Sequence, residues 1–182
     1  MHDRWRDLAV AGHTGDAAGA REALTDADPV ARQLALGALE RMGSLDDATI
    51  AHALVDPDPA VRRRAAELAA THPHVDLHDA LADADATVQE VAAWSCGEHV
   101  DVDDAVLDRL IALATGSSTP LVREAAVAAL GAIGDARGLD AILAACGDAP
   151  AVRRRAALAL APFEGEHVEA AIDPALTDRD WQ

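Results

Sequence analysis

The chain contains no lysine and no tyrosine, a single phenylalanine and only two cysteines. Each scarcity removes a class of explanation. Without lysine, and with so few aromatic rings, an electropositive groove that grips a phosphate backbone or an extruded base has little to be built from. Fifteen arginines face 32 acidic residues, giving a formal net charge of −17, so the field of the whole molecule opposes approach to nucleic acid. Nucleic acid is therefore not an expected partner. Cys96 and Cys146 lie far apart in alanine-rich stretches that read as helical. They predict reduced, packed thiols and no disulfide framework. No stretch reaches the roughly 18 consecutive apolar residues of a membrane span, and the opening segment MHDRWRDLAVAGHTGD lacks the apolar run of a signal peptide. A soluble, cytoplasmic protein without membrane contact is the expectation. With 51% hydrophobic but 2% aromatic residues, the interior must be made of Ala, Leu, Val and Ile, which favours closely approaching helices over large cavities.

What the sequence has in abundance is one phrase, present five times: an apolar residue, a short Asp/Pro-rich turn, then an arginine opening an alanine-rich helix. The copies are LTDADPVAR (24–32), LVDPDPAVR (54–62), LADADATVQ (81–89), LATGSSTPLVR (113–123) and ACGDAPAVR (145–153). Their last residues, Arg32, Arg62, Gln89, Arg123 and Arg153, are separated by 30, 27, 34 and 30 positions, and three residues beyond each stands an alanine: Ala35, Ala65, Ala92, Ala126 and Ala156. A period near 30 with a fixed small residue marks a stack of units that cannot bury their apolar faces alone.

The fourth copy shows the unit's physics. Thr119 and Pro120 read as N-cap and first helical residue. Val122, Ala126, Leu130 and Ile133 make one apolar stripe, and Gly131 and Gly134 mark its end. A second amphipathic helix follows from about Ala136 to Cys146, carrying Leu139, Ile142 and Leu143 before Gly147 stops it. Asp28 with Pro29, and Asp58 with Pro59, repeat the cap signature, and Gly43 ends an earlier first helix. The result is an antiparallel helical hairpin per period.

The run VREAAVAALGAIGDARGLDAIL, followed by VRRRAALAL, resembles the HEAT-like repeats, in particular the short variety named after the phycobilisome lyases. The likeness extends from about Asp16 onward. It implies an all-α chain, an α-α superhelix of about five helical hairpins, whose second helices line a concave groove that binds other proteins. On this reading residues 1–182 are a single domain. Residues 1–24 are a degenerate cap holding Trp5, Leu8 and Val10, residues 25–54, 55–81, 82–113, 114–146 and 147–176 are repeats, and 177–182 are a truncated repeat or tail with Trp181.

The arginines Arg32, Arg62, Arg123 and Arg153 are given a structural role between repeats. From the first turn of a helix each can fork onto a turn aspartate of an adjacent unit, such as Asp26, Asp56 or Asp83, with Gln89 the weak point. The partner surface is placed on the second helices as a carboxylate-rich strip: Asp46, Asp47 and His52; Asp76, His78 and Asp79; Asp103, Asp104 and Asp108; and Asp140. Such a strip suits a basic protein segment. The outer members of the arginine runs 62–64 and 153–155 read as solvated or paired to nearby acids.

Metal-dependent chemistry is the alternative reading. His72, His74 and His78 cluster with Asp76 and Asp79, and His74 and His78 are spaced to share a helix face. Two GEHV strings, 97–100 and 165–168, raise the likeness to a HEAT-class enzyme, deoxyhypusine hydroxylase, which holds two irons with His-Glu pairs. Here the order is reversed, Glu98–His99 and Glu166–His167, and both are expected in turns between helices. No catalytic triad, phosphate loop or CxxC pair stands out. The expected function is a non-catalytic interaction scaffold with no cofactor and no metal, the alternative being a metal-dependent enzyme on the same scaffold.

Overall fold

The computed structural model describes Trp5, residues 16–99 and residues 101–177. All ten α-helices found there follow the repeat, and no strand occurs among the described residues. They are α1 (Ala17–Ala23), α2 (Pro29–Arg41), α3 (Asp47–Ala53), α4 (Pro59–Ala69), α5 (Ala86–Cys96), α6 (Asp104–Gly116), α7 (Pro120–Ile133), α8 (Leu139–Ala145), α9 (Pro150–Ala159) and α10 (Glu166–Thr177). The fold is all-α, built of repeated antiparallel helical hairpins. The first helices of the repeats are α2, α4, α5, α7 and α9. Two compact units divide the chain, Met1–Asp76 and Leu77–Gln182.

The repeated phrase folds the way it does because its two aspartates have different jobs. In three copies the first takes the backbone N–H of the second: Asp26 from Asp28, Asp56 from Asp58 and Asp83 from Asp85, at 2.8–2.9 Å. The second then caps the helix, Asp28 on Val30, Asp58 on Ala60 and Asp85 on Thr87, satisfying N–H groups that have no intrahelical partner. Proline opens α2, α4, α7 and α9, where its missing N–H costs nothing. Behind the turn the closing side chain reaches back to a turn carbonyl: Arg32 to Asp26, Arg62 to Asp56, Gln89 to Asp83, Arg123 to Ser117 and Arg153 to Asp148, at 2.8–3.1 Å. Ala35, Ala65, Ala92, Ala126 and Ala156 are completely buried, since only a methyl fits where successive helices meet. Trp5 donates from Nε1 to Asp28 at 2.8 Å; Leu8, Val10 and Trp181 lie outside the described residues.

Several expectations are corrected. The second helix of repeat 55–81 is absent: residues 71–79 are turn and irregular chain, followed by one 3-10 turn, Ala80–Ala82. The step of 27 residues is the shortest of the four, and Pro73 blocks helical continuation. Val75, Leu77 and Leu81 are buried there in place of a helix face. Consequently His74 and His78 share no helix face. Thr119 occupies the N-cap position of α7 but its side chain makes no cap hydrogen bond; its N–H instead donates to Ser117 Oγ at 3.3 Å. Glu166 and His167 lie within α10 and not in a turn. Leu176 and Thr177 lie at the end of α10, and the remainder of the truncated repeat or tail falls outside the described residues.

Candidate functional site

Arg32 and Arg123 each fork onto the next turn's carboxylate. Within Met1–Asp76, Arg32 Nε and Nη2 donate to the two oxygens of Asp56 at 2.8 and 2.7 Å. Within Leu77–Gln182, Arg123 does the same to Asp148 at 2.6 and 2.7 Å. All four side chains are at most 19% exposed, so the charges are held largely out of water and in the bidentate geometry that makes such pairs strong. The hydrogen bond to Asp56 raises the pKa of Arg32. Burial opposes ionisation of Asp56, yet the Arg32 fork and the Asp58 N–H hold its carboxyl below the usual range. Asp148 is lowered chiefly by its hydrogen bond to Arg123. Arg62 also donates to the Pro57 carbonyl at 3.2 Å.

The acidic residues separate into working groups. Asp46 and Asp103 are N-caps of α3 and α6, accepting from Thr49 and Val106 at 2.8 Å; the Thr49 bond lowers Asp46 below the ordinary carboxylate pKa. Asp47 accepts from His72 Nδ1 at 2.8 Å, while His72 Nε2 lies 3.2 Å from Glu40. Burial works against a charge on His72, but the hydrogen bonds to Asp47 and Glu40 and their negative charge raise its pKa. His52 is exposed beside a small pocket of about 40 Å³ under the Arg32–Asp56 fork. Asp76 and Asp79 are exposed in the irregular chain, with His78 3.5 Å from Asp79.

On α6 and α8 the arrangement is denser. Asp104 and Asp108, one helical turn apart, both receive Arg137 from the turn Ala136–Gly138 that leads into α8, Asp104 at 2.6 Å. These carboxylates are 92% and 66% exposed. Asp103 and Asp140 are exposed on the same pair of packed helices. Arg137 was not among the residues the sequence singled out. Its signal was present: it stands 33 and 29 residues after the two aspartates, about one repeat, which places it on the adjacent hairpin.

The groups considered for a metal do not come together. Among the described residues no set of three His, Cys, Asp or Glu side chains is placed to hold an ion. In the first GEHV string Glu98 is exposed while His99 is buried, so the dipeptide's two side chains have opposite surroundings. Glu166 and His167 are both exposed on α10. Neither Cys96 nor Cys146 forms a disulfide, and burial pushes the Cys146 thiol up in pKa, away from nucleophilic use. No helix of the described residues is long and apolar enough to cross a membrane.

Comparison with known proteins agrees with this architecture. Residues 75–161 match the family of HEAT repeats. Among solved structures, human deoxyhypusine hydroxylase in complex with glycerol is similar at 19% identity and a TM-score of 0.52, with 88% of this chain and 78% of that one covered. At that identity the likeness is one of fold. No curated protein sequence matches. Residues 75–161, a little under half of the chain, are thus similar to HEAT repeats, and the fold is similar over the greater part of its length.

Proposed function

We propose that this protein is a non-catalytic interaction scaffold whose second helices take up a basic segment of another protein. The observation that supports the reading is Arg137, a guanidinium seated between the exposed carboxylates of Asp104 and Asp108. This face therefore has the spacing that an arginine side chain requires. Asp103 and Asp140 remain beside it as exposed carboxylates on α6 and α8, and an incoming basic residue would meet them without displacing Arg137. Surface pairs of this kind are each worth little, roughly 0–1 kcal/mol. Recognition would rest on several together and on electrostatic steering, and so would weaken with salt.

The test is a titration with an arginine-rich peptide followed by backbone NMR. Shift changes should localise to α6 and α8, shrink as salt is raised, and correspond to several-fold weaker binding in the double variant Asp103→Asn, Asp140→Asn. Asparagine preserves the N-cap at 103, so melting should be unchanged. Shifts spread evenly over every acidic turn, or an affinity indifferent to that variant, would remove the scaffold face from α6 and α8.

A further inference from the structure

The ladder of arginine forks is interrupted inside Leu77–Gln182, and the interruption opens a cleft. Gln89 stands where Arg32 and Arg123 stand in their repeats. Ser117, six residues before Arg123, stands where Asp56 stands before Arg62. Both halves of the rung are thus replaced. Gln89 keeps the local half of the arginine's work, donating from Nε2 to Asp83 O at 2.8 Å, but it carries no charge to send to the next turn. An open cleft of about 360 Å³ lies there, lined by Gln89, Arg109, Leu113, Gly116, Ser117 and Ser118 among others.

Arg109 gives this cleft a chemical sign. It enters from α6, and its Nε is buried yet meets no acceptor among the described residues. A buried N–H of a guanidinium without an acceptor is uncommon, the more so in a chain with 32 carboxylates to offer. The adjoining groups are neutral donors or small. Ser117 Oγ accepts from the Thr119 N–H, which leaves its O–H to donate, and Gly116 carries no side chain that could cover the floor. In the intact rungs the group on the arginine fork is a carboxylate, Asp56 on Arg32 and Asp148 on Arg123.

We propose that this cleft is a binding site for a carboxylate, presented by an acidic side chain of a partner protein, with Arg109 as its counter-ion and Ser117 and Ser118 as neutral hydrogen-bond donors. The planar guanidinium fork matches a carboxylate in two parallel hydrogen bonds. The site is opposite in charge to the α6–α8 face and uses none of its residues, so either can fail without the other.

The experiment follows the Arg109 Nε–H resonance of the full chain at constant ionic strength. The probes are an acetyl-Gly-Glu-Gly-amide peptide, the same peptide with Gln, and inorganic phosphate. The expected result is a saturable shift with the Glu peptide and none with the Gln peptide. In Arg109→Met, which keeps the apolar stem, backbone shifts around Gly116–Ser118 should respond at least tenfold more weakly. The double variant Gln89→Arg, Ser117→Asp rebuilds the rung, and should melt higher than the natural chain while losing the Glu peptide. No saturable shift, equal response to Glu and Gln, or saturation by phosphate alone would each overturn the assignment. So would unchanged binding in a folded Arg109→Met.

Discussion

The two compact units solve one problem, how to bring successive first helices together, with different chemistry. In Leu77–Gln182 the contact is made by absence of side chain. A Cβ built on Gly131 would fall 2.5 Å from Ala159 Cβ and 2.6 Å from its Cα, and one on Gly97 would fall 3.0 Å from Ala129 Cα. Glycine and alanine therefore let α5, α7 and α9 approach backbone to backbone. In Met1–Asp76, on α2, the residue that corresponds to Gly97 and Gly131, eight beyond Arg32, is Glu40. It faces His72 at 3.2 Å and Thr71 at 3.3 Å, with Asp47 on the other side of the imidazole. The α5–α7–α9 contact is sealed with dispersion and close packing, indifferent to pH. The α2–α4 contact buries apolar residues too and adds an ionisable cluster at its end, whose contribution changes with pH and salt.

The largest effect should come from breaking the small-residue contact. Gly131→Val places a branched side chain where even a methyl meets backbone atoms that cannot swing aside, so α7 and α9 must separate. Overpacking of this kind costs about 3 kcal/mol, more than the fraction of a kcal/mol by which valine betters glycine in a helix. Gly116→Ala is the matched control. A Cβ there meets nothing within 4 Å, so replacing glycine at the end of α6 should be neutral or stabilising by up to about 1 kcal/mol. Urea denaturation of both variants separates the clash from the propensity. Equal stability of the two would mean that the close approach of α7 and α9 carries no energy.

Next in size is the feature both units share. Asp56→Asn keeps an oxygen for the Asp58 N–H but removes the carboxylate from Arg32, and with both side chains nearly buried the expected loss is about 2 kcal/mol. The folded pKa of Asp56 is depressed below 3.8. Its stabilisation is therefore complete above the unfolded value and disappears as pH falls through the folded one. The difference between wild type and Asp56→Asn should persist at neutral pH and vanish in acid. Asp148→Asn, on the equivalent Arg123 fork, should behave alike. A difference that stayed constant into acid would mean that the carboxylate's charge is not what the fork uses.

Much of this was legible before any coordinates because it is local. An aspartate followed by proline caps a helix through bonds to residues two positions away, and an alanine three residues past the arginine is buried wherever the repeat recurs. The forks were legible as a type, since a repeat of period near 30 puts each arginine beside the next turn. What failed rests on departures from the average repeat. The spacing of His74 and His78 has helical meaning only inside a helix, and a 27-residue step with Pro73 leaves no room for one. Arg109 and Arg137 stand outside the repeated phrase. Their surroundings depend on which residues the neighbouring hairpin brings, and the uneven steps of 27 and 34 residues blur that register.

The smallest expected effect is also the one that most sharply separates the units. His72 links the end of α4 to Glu40 on α2 and Asp47 on α3. Its pKa is raised from 6.5, the two carboxylates outweighing burial. A raised folded pKa means that the imidazolium's contribution is fully present below the unfolded value and is lost as pH climbs through the folded one. His72→Gln retains a polar side chain without the charge. Its deficit relative to wild type should be about 1 kcal/mol near pH 6 and should shrink towards nothing near pH 9. The Gly131→Val deficit, which involves no titrating group, should stay constant over the same range. Urea melts of both variants at the two pH values test the contrast directly. A His72→Gln deficit that is flat with pH, or that grows as pH rises, would show that the cluster is held by shape and neutral hydrogen bonds, and the chemical distinction between the two units would be gone.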